Sequence, residues 1–202
     1  MKKFTILFVL LFSAVSFAQL RYGVKGGLNF ASFGGSDAKD IKSLTRYQFG
    51  GYVNFSLPVL FAFQGEALYS MKGGQQKATD EFGNNWTISY NLDYIEIPVL
   101  VQLNIPLAVP LPISPYIEAG PTLGITVSAK TQMETTGFSQ TTDIKNDVTS
   151  TDMGLALGFG VNIMKKFGVN LRYTFGFSTV DNTSNPDDFK NSVLALTVNY
   201  GL

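Results

Sequence analysis

The sequence predicts an all-β protein, an eight-stranded antiparallel up-and-down transmembrane β-barrel. Three observations point there. Segments along the whole chain alternate apolar and polar residues with a period of two, so each has two unlike faces. The polar faces, not the apolar ones, carry the charges. The links between segments alternate between long polar loops and short or proline-rich turns, which puts the long loops on one rim and the short ones on the other.

The stretch from Leu44 to Lys72 shows the alternation best. Tyr47, Phe49, Gly51, Val53, Phe55 and Leu57 share one parity, against Arg46, Gln48, Gly50, Tyr52, Asn54 and Ser56. After Leu57-Pro58-Val59-Leu60 the pattern resumes. Phe61, Phe63, Gly65, Ala67, Tyr69 and Met71 oppose Ala62, Gln64, Glu66, Leu68, Ser70 and Lys72. In a soluble sandwich the apolar face would be core and the polar face wet. In a membrane barrel the apolar face meets lipid and the polar face lines the lumen. The hairpin alone leaves both open.

The other elements follow in order. A first strand runs from about Leu20 to Gly34, with Tyr22, Val24, Leu28 and Phe30 opposite Arg21, Lys25 and Asn29. Gly35 to Asp40 is a polar loop, and the hairpin supplies strands two and three. Gly73 to Asn85 is a second polar loop. The fourth strand covers roughly Trp86 to Leu103. Its parity slips after Tyr94, and a β-bulge near Tyr94-Ile95 is expected, placing Glu96 on the face of Asp93. Asn104 to Pro115 holds four prolines, which supply no ladder donor, and reads as a turn.

The fifth strand spans about Tyr116 to Lys130, followed by a long Thr/Ser/Gln-rich loop from Thr131 to Ser150. Thr151 to Met164 and Phe167 to Val180 are strands six and seven, joined by a tight turn at Lys165-Lys166. A polar loop from Asp181 to Asp188 leads to the last strand, Lys190 to Leu202. Eight strands result, an even number. A sandwich gives no reason for so strict an alternation of loop lengths.

Met1 to Ala18 reads as a secretory signal peptide. Lys2-Lys3 is the basic start, Phe4 to Phe12 the apolar run, and the cut is expected between Ala18 and Gln19. Residues 19–202 then form the barrel domain. That apolar run is too short to span a bilayer as a helix, and no later segment is a long apolar run. An exported chain of this kind enters a membrane only as a closed barrel.

Charge placement separates the barrel from its soluble alternatives. The outward faces carry almost no charge within the strands. A Lys or Arg there would cost ~2–4 kcal/mol at mid-membrane. The inward parities hold Lys25, Arg46, Glu66, Lys72, Asp93, Glu96, Glu118, Asp152 and Arg172. A lipocalin-like barrel would need the reverse, an apolar interior and a wet exterior. Tyr22, Phe61, Tyr69, Tyr90, Tyr94, Phe167, Tyr173 and Tyr200 fall near strand ends, as interfacial girdles do.

Composition excludes several function classes. There is no Cys and no His, so disulfides, thiol catalysis, a lipoprotein anchor, His acid–base chemistry and His metal ligation are all absent. Net charge is zero, and slightly acidic without the leader, so nothing points to nucleic acid. Asp80-Glu81 and Asp187-Asp188 could act as acid and base, but such pairs on loops are usually solvated. No calcium-loop spacing occurs, and Gly158-Phe159-Gly160 is not a phosphate loop because no helix follows it. No cofactor is expected.

The chain resembles the outer-membrane β-barrel domain proteins common in Bacteroidota, often labelled porin-like or PorT-like. Tyr22 to Phe30, Asp93 to Leu100, Pro115-Tyr116 with Gly120-Pro121, Gly154 to Gly160 and Arg172 to Phe177 carry the likeness, and the leader ending Ser16-Phe17-Ala18-Gln19 fits it. The resemblance implies a Gram-negative outer membrane. It says little about activity, although founding relatives are linked to protein secretion and envelope function. One departure is the end, Tyr200-Gly201-Leu202, where such barrels commonly finish on an aromatic residue.

The interior of an eight-stranded barrel is just filled by side chains. Buried charges must pair, since an unpaired one costs several kcal/mol. The nine inward charges are therefore expected to seal the lumen, with Lys25, Glu66, Glu96, Glu118 and Arg172 as its surest members. The expected function is structural or interactive, through the extracellular loops, above all Thr131 to Ser150. The alternative is a narrow porin-like channel for small solutes or ions. A secretion-machinery component and an outer-membrane enzyme stand behind these. Expected partners are outer-membrane lipid, the barrel-insertion machinery and a protein at the loops. The expected state is a monomer.

Overall fold

A computed structural model describes residues 19–35, 41–58, 60–79, 85–108, 111–135, 137–164, 166–182 and 189–202. Among these residues nine strands occur: β1 (Gln19–Gly34), β2 (Ile41–Ser56), β3 (Phe61–Thr79), β4 (Asn85–Asn104), β5 (Ile113–Thr135), β6 (Phe138–Asp143), β7 (Thr151–Ile163), β8 (Phe167–Thr179) and β9 (Lys190–Gly201). The leader and its cleavage residue Ala18 lie outside the described residues, as do the pairs Asp80-Glu81 and Asp187-Asp188.

Eight strands close a ring. Each pairs antiparallel with the next along the chain, β5 pairs with β7, and β9 returns to β1. On the closing seam Leu28 faces Leu196 of β9 and Tyr47 of β2. The Leu202 N–H donates to the Tyr22 carbonyl at 3.0 Å, which ties the end of β9 to β1. Closure pairs both sides of each of the eight ring strands, the condition for strands to cross lipid.

Alternation then sorts the side chains. In β4, Val99 is 54% exposed while Leu100 beside it is fully buried. In β8, Phe175 is 45% exposed and Arg172 only 4%. Tyr22, Phe61, Phe167 and Tyr200 ring the short-turn end, with Phe167 and Tyr200 in tilted contact at 5.1 Å between centroids. Phe49 with Tyr69, and Tyr173 with Phe175, form outward pairs higher on the wall, at 5.6 and 4.4 Å.

Three expectations change. First, β4 keeps one parity throughout: Leu92, Tyr94, Glu96, Leu100 and Gln102 are all buried. The bulge lies on the partner strand. Asp93 pairs with Ser128 and Tyr94 with Thr126, leaving Val127 as the extra residue of β5. Glu96 and Asp93 therefore lie on opposite faces. Leu92 and Tyr94 point inward, so Tyr94 is not a girdle residue, and Tyr90 packs against the same inner cluster. An apolar run in a strand looks alike whether its bulge sits on it or opposite it.

Second, the described part of the polar segment from Gly73 to Asn85, expected to be a loop, is strand. β3 continues to Thr79 and pairs with Asn85. Third, Thr131 to Ser150 is not a loop. β5 runs on to Thr135 and turns at Gly137 into β6, which pairs back on β5 outside the ring. A short 3₁₀ turn, Lys145–Asp147, brings the chain back to β7. Threonines read as loop residues here favour strands once a ladder is available.

Candidate functional site

The barrel walls aim a set of polar side chains into the lumen. Lys25 of β1, Glu66 and Lys72 of β3, Glu96 of β4, Glu118 of β5, Asp152 of β7 and Arg172 of β8 are all buried. Each stands on the inward parity of its strand, and register decides which meet.

They form two groups. In the first, Arg172 donates through Nη1 to Glu66 Oε2 and through Nη2 to Glu66 Oε1, both at 2.8 Å. Its Nε donates to Glu118 Oε1 at 2.8 Å. Lys25 Nζ adds a 2.9 Å bond to Glu66 Oε1. Two cations thus face two carboxylates. Such a fork-to-fork contact is the strongest geometry for an Arg–carboxylate pair.

Neutral amides complete the lining. Gln64 donates to Glu66 at 2.7 Å, Gln102 to Glu118 at 3.0 Å and Asn170 to Glu118 at 3.1 Å. Asn54 donates to both Gln64 and Gln102, at 3.0 and 2.8 Å. Ser56 and Arg21 carry the chain of bonds to the short-turn end. Sequence reasoning put Asn54 and Gln64 on the inward parity but weighed only the charges. A run of inward amides between inward carboxylates was the available signal.

In the second group, Lys72 Nζ lies 3.4 Å from Glu96 and 3.2 Å from Asp152, and sits 5.0 Å above the Tyr94 ring. Asn191 donates to Asp152 at 3.0 Å and to the Tyr94 hydroxyl at 3.1 Å. Tyr94 and Asn191 join this site from positions the sequence reading left out of it. Between the groups lies a void of about 10 Å³ near Asn29, Lys72, Glu96 and Arg172, and one of about 20 Å³ lies near Arg21 and Asn54. Each has about the room of a single water.

Arg46 and Asp93 do not belong to the lumen. Arg46 Nη2 donates to Asp93 Oδ1 at 2.8 Å, and its Nη1 donates to Asn91. The Tyr69 hydroxyl donates to Asp93 Oδ2 at 3.1 Å. Asp93 shares its parity with the exposed Ile95, Ile97 and Val99, and Tyr69 stacks on the exposed Phe49. The pair is therefore on the outer wall. Two irregularities cause the misplacement: the bulge opposite Asp93, and a register shift of β2 against β3 between Ser43 and Gln48.

Above the second group the lumen turns apolar. Phe33, Leu92, Tyr94, Ala129 and Val148 form a buried cluster at the long-loop end.

The chain is thus a closed antiparallel ring with an apolar outer wall and a charged, filled lumen. Residues 17–182 match the family model described as outer membrane protein beta-barrel domain. The chain belongs to that family. It is accordingly an outer-membrane protein. A search of curated proteins finds no match. Among solved structures it is similar to Ail, the attachment invasion locus protein of Yersinia pestis. Identity there is 13%, coverage 90% of this chain and 98% of that one, and TM-score 0.45. It is similar to Neisserial surface protein A at 12% identity, covering 89% and 96%, with TM-score 0.46. It is also similar to OprG from Pseudomonas aeruginosa at 12% identity, covering 92% and 95%, with TM-score 0.41. At these values no function passes from them to this barrel domain.

Proposed function

We propose that this barrel is a sealed, non-catalytic outer-membrane scaffold that acts through what it displays at the long-loop rim. One observation carries the reading. Arg172 and Glu66 stand on β8 and β3, which lie directly opposite each other round the ring, and their two hydrogen bonds cross the lumen. An ion passing through would have to break that contact and leave Glu66 with Lys25 and Arg172 with Glu118 as their remaining partners. The displayed element is the β5–β6 hairpin, which projects beyond the ring and has an exposed β6 strand. It would serve as a contact surface for a protein partner, with the barrel as a monomer in lipid. The likeness to porin-like and PorT-like proteins of Bacteroidota belongs to the same reading.

The test is single-channel conductance of the refolded mature chain in a planar bilayer. A sealed scaffold gives no steady conductance, and migrates heat-modifiably on a gel. A steady conductance that shifts when Glu66 or Glu118 is neutralised would establish the narrow channel instead. That second reading is favoured by one feature, the excess of carboxylate over cation around Lys72.

A further inference from the structure

The long-loop end of the lumen contains a cavity of about 260 Å³. Phe33, Tyr90, Ile144, Val148, Val180 and Phe189 wall it. These residues come from five separate parts of the chain, and all sit at the same rim. Phe33 meets Tyr90 edge-on at 6.2 Å and Phe189 at 5.9 Å, so three rings surround the space.

Backbone hydrogen bonds hold the walls in place. Ile144 N–H donates to the Ala129 carbonyl at 3.0 Å, Thr149 to Val180 at 2.8 Å and Val180 to Phe189 at 2.7 Å. Val148 also bridges Asp181. The space is thus pre-formed, as small-molecule sites usually are.

The rest of the lumen is filled by paired polar groups, as an eight-stranded barrel requires. An apolar space at its mouth breaks that pattern.

The geometry points to a binding site here for a small uncharged aromatic molecule of one or two rings. Size sets the upper limit: a dry apolar cavity of about 150 Å³ takes a benzene ring, so this one accepts two fused rings but no helix or strand. The rim sets the charge. Thr131, Asp147 and Asp181 line its polar side, which disfavours an anion. This inference goes beyond the scaffold reading and stands on the cavity alone, whether or not the lumen conducts.

The experiment uses the mature chain in lipid nanodiscs with selectively labelled Ile and Val methyls, and naphthalene as probe. Binding at the mouth gives saturable NOEs from naphthalene to the methyls of Ile41, Ile144, Val148 and Val180. Filling the space by Val148→Phe, or by Ile144→Phe if the first variant does not fold, abolishes them and leaves the remaining methyl spectrum in place. NOEs only to the lipid-facing methyls of Ile95, Ile97 and Val99 would overturn the site, because they report partition into lipid. So would mouth NOEs that survive in a folded filled variant.

Discussion

Arg172 grips both carboxylate oxygens of Glu66 from the far wall of the barrel, at 2.8 Å each, with both side chains almost wholly shielded from solvent. Ring closure is what brings them together, since 106 residues separate them in the chain. Arg172→Met would leave Glu66 with Lys25 alone and Glu118 without its cation. Removing one partner of such a buried set costs ~3–5 kcal/mol. Urea unfolding in detergent micelles should show a loss of that size. A pairwise replacement, Arg172→Met with Glu66→Gln, should recover part of it. Unchanged stability of the single variant would mean that the network is not structural.

The outer pair should behave differently. Arg46 and Asp93 are each about a fifth exposed and lie on the wall rather than in the lumen. Partly exposed pairs are worth ~0–1 kcal/mol. Arg46→Ala should therefore lower stability by about 1 kcal/mol or less, and a loss approaching that of Arg172→Met in the same unfolding assay would put Arg46 back in the lumen.

Gly73 of β3 has φ of +143°, and an added Cβ there would overlap the Tyr90 carbonyl oxygen of β4. Left-handed strain at a non-glycine residue costs ~1–3 kcal/mol before any steric overlap is counted. Gly73→Ala should destabilise by at least that much. The midpoint of heat-modifiable migration measures it, and a midpoint equal to that of the parent would show that the β3–β4 ladder relaxes freely there.

β6 lies outside the ring, so the barrel should not need the tip of the β5–β6 hairpin. Replacing residues 134–139 by Asn-Gly removes one rung between β4 and β5 and the contact of Trp86 with Phe138. Exposed changes of this kind usually move stability by ~0.5 kcal/mol. The shortened chain should keep its circular dichroism and its folded migration while losing whatever partner the hairpin holds. Failure to fold would mean that the hairpin nucleates closure.

A sealed lumen also fixes an expectation for transport. The parent should give no steady single-channel conductance, and Arg172→Ala should open brief events by removing the cross-lumen contact. Conductance in the parent that falls on Glu118→Gln would replace the scaffold by a channel.

Alternation along the chain was enough to establish strands, their number in the ring and the inward side of Lys25, Glu66, Lys72, Glu118, Asp152 and Arg172. Those are local properties: a period of two is written into adjacent residues and survives any register. The same reasoning failed at Arg46, Asp93, Leu92 and Tyr94. There the face depends on a bulge, and a bulge is a relation between two strands. Val127 causes one of them, and nothing in β4 itself records it. The extra strand β6 was missed for a related reason, because its exposed Ser, Gln and Thr residues match a loop until β5 offers them a ladder.

The chain's pattern of apolar and polar residues settled the all-β class, the membrane-facing exterior and the polar interior, since each follows from where single side chains can be solvated. Partner choice was settled only on folding. Ring closure sets β3 against β8, so Arg172 meets Glu66, and it gathers Phe33, Tyr90, Val148 and Phe189 round one cavity. These meetings join residues far apart in sequence, and their distances exist only once register and closure have fixed the walls.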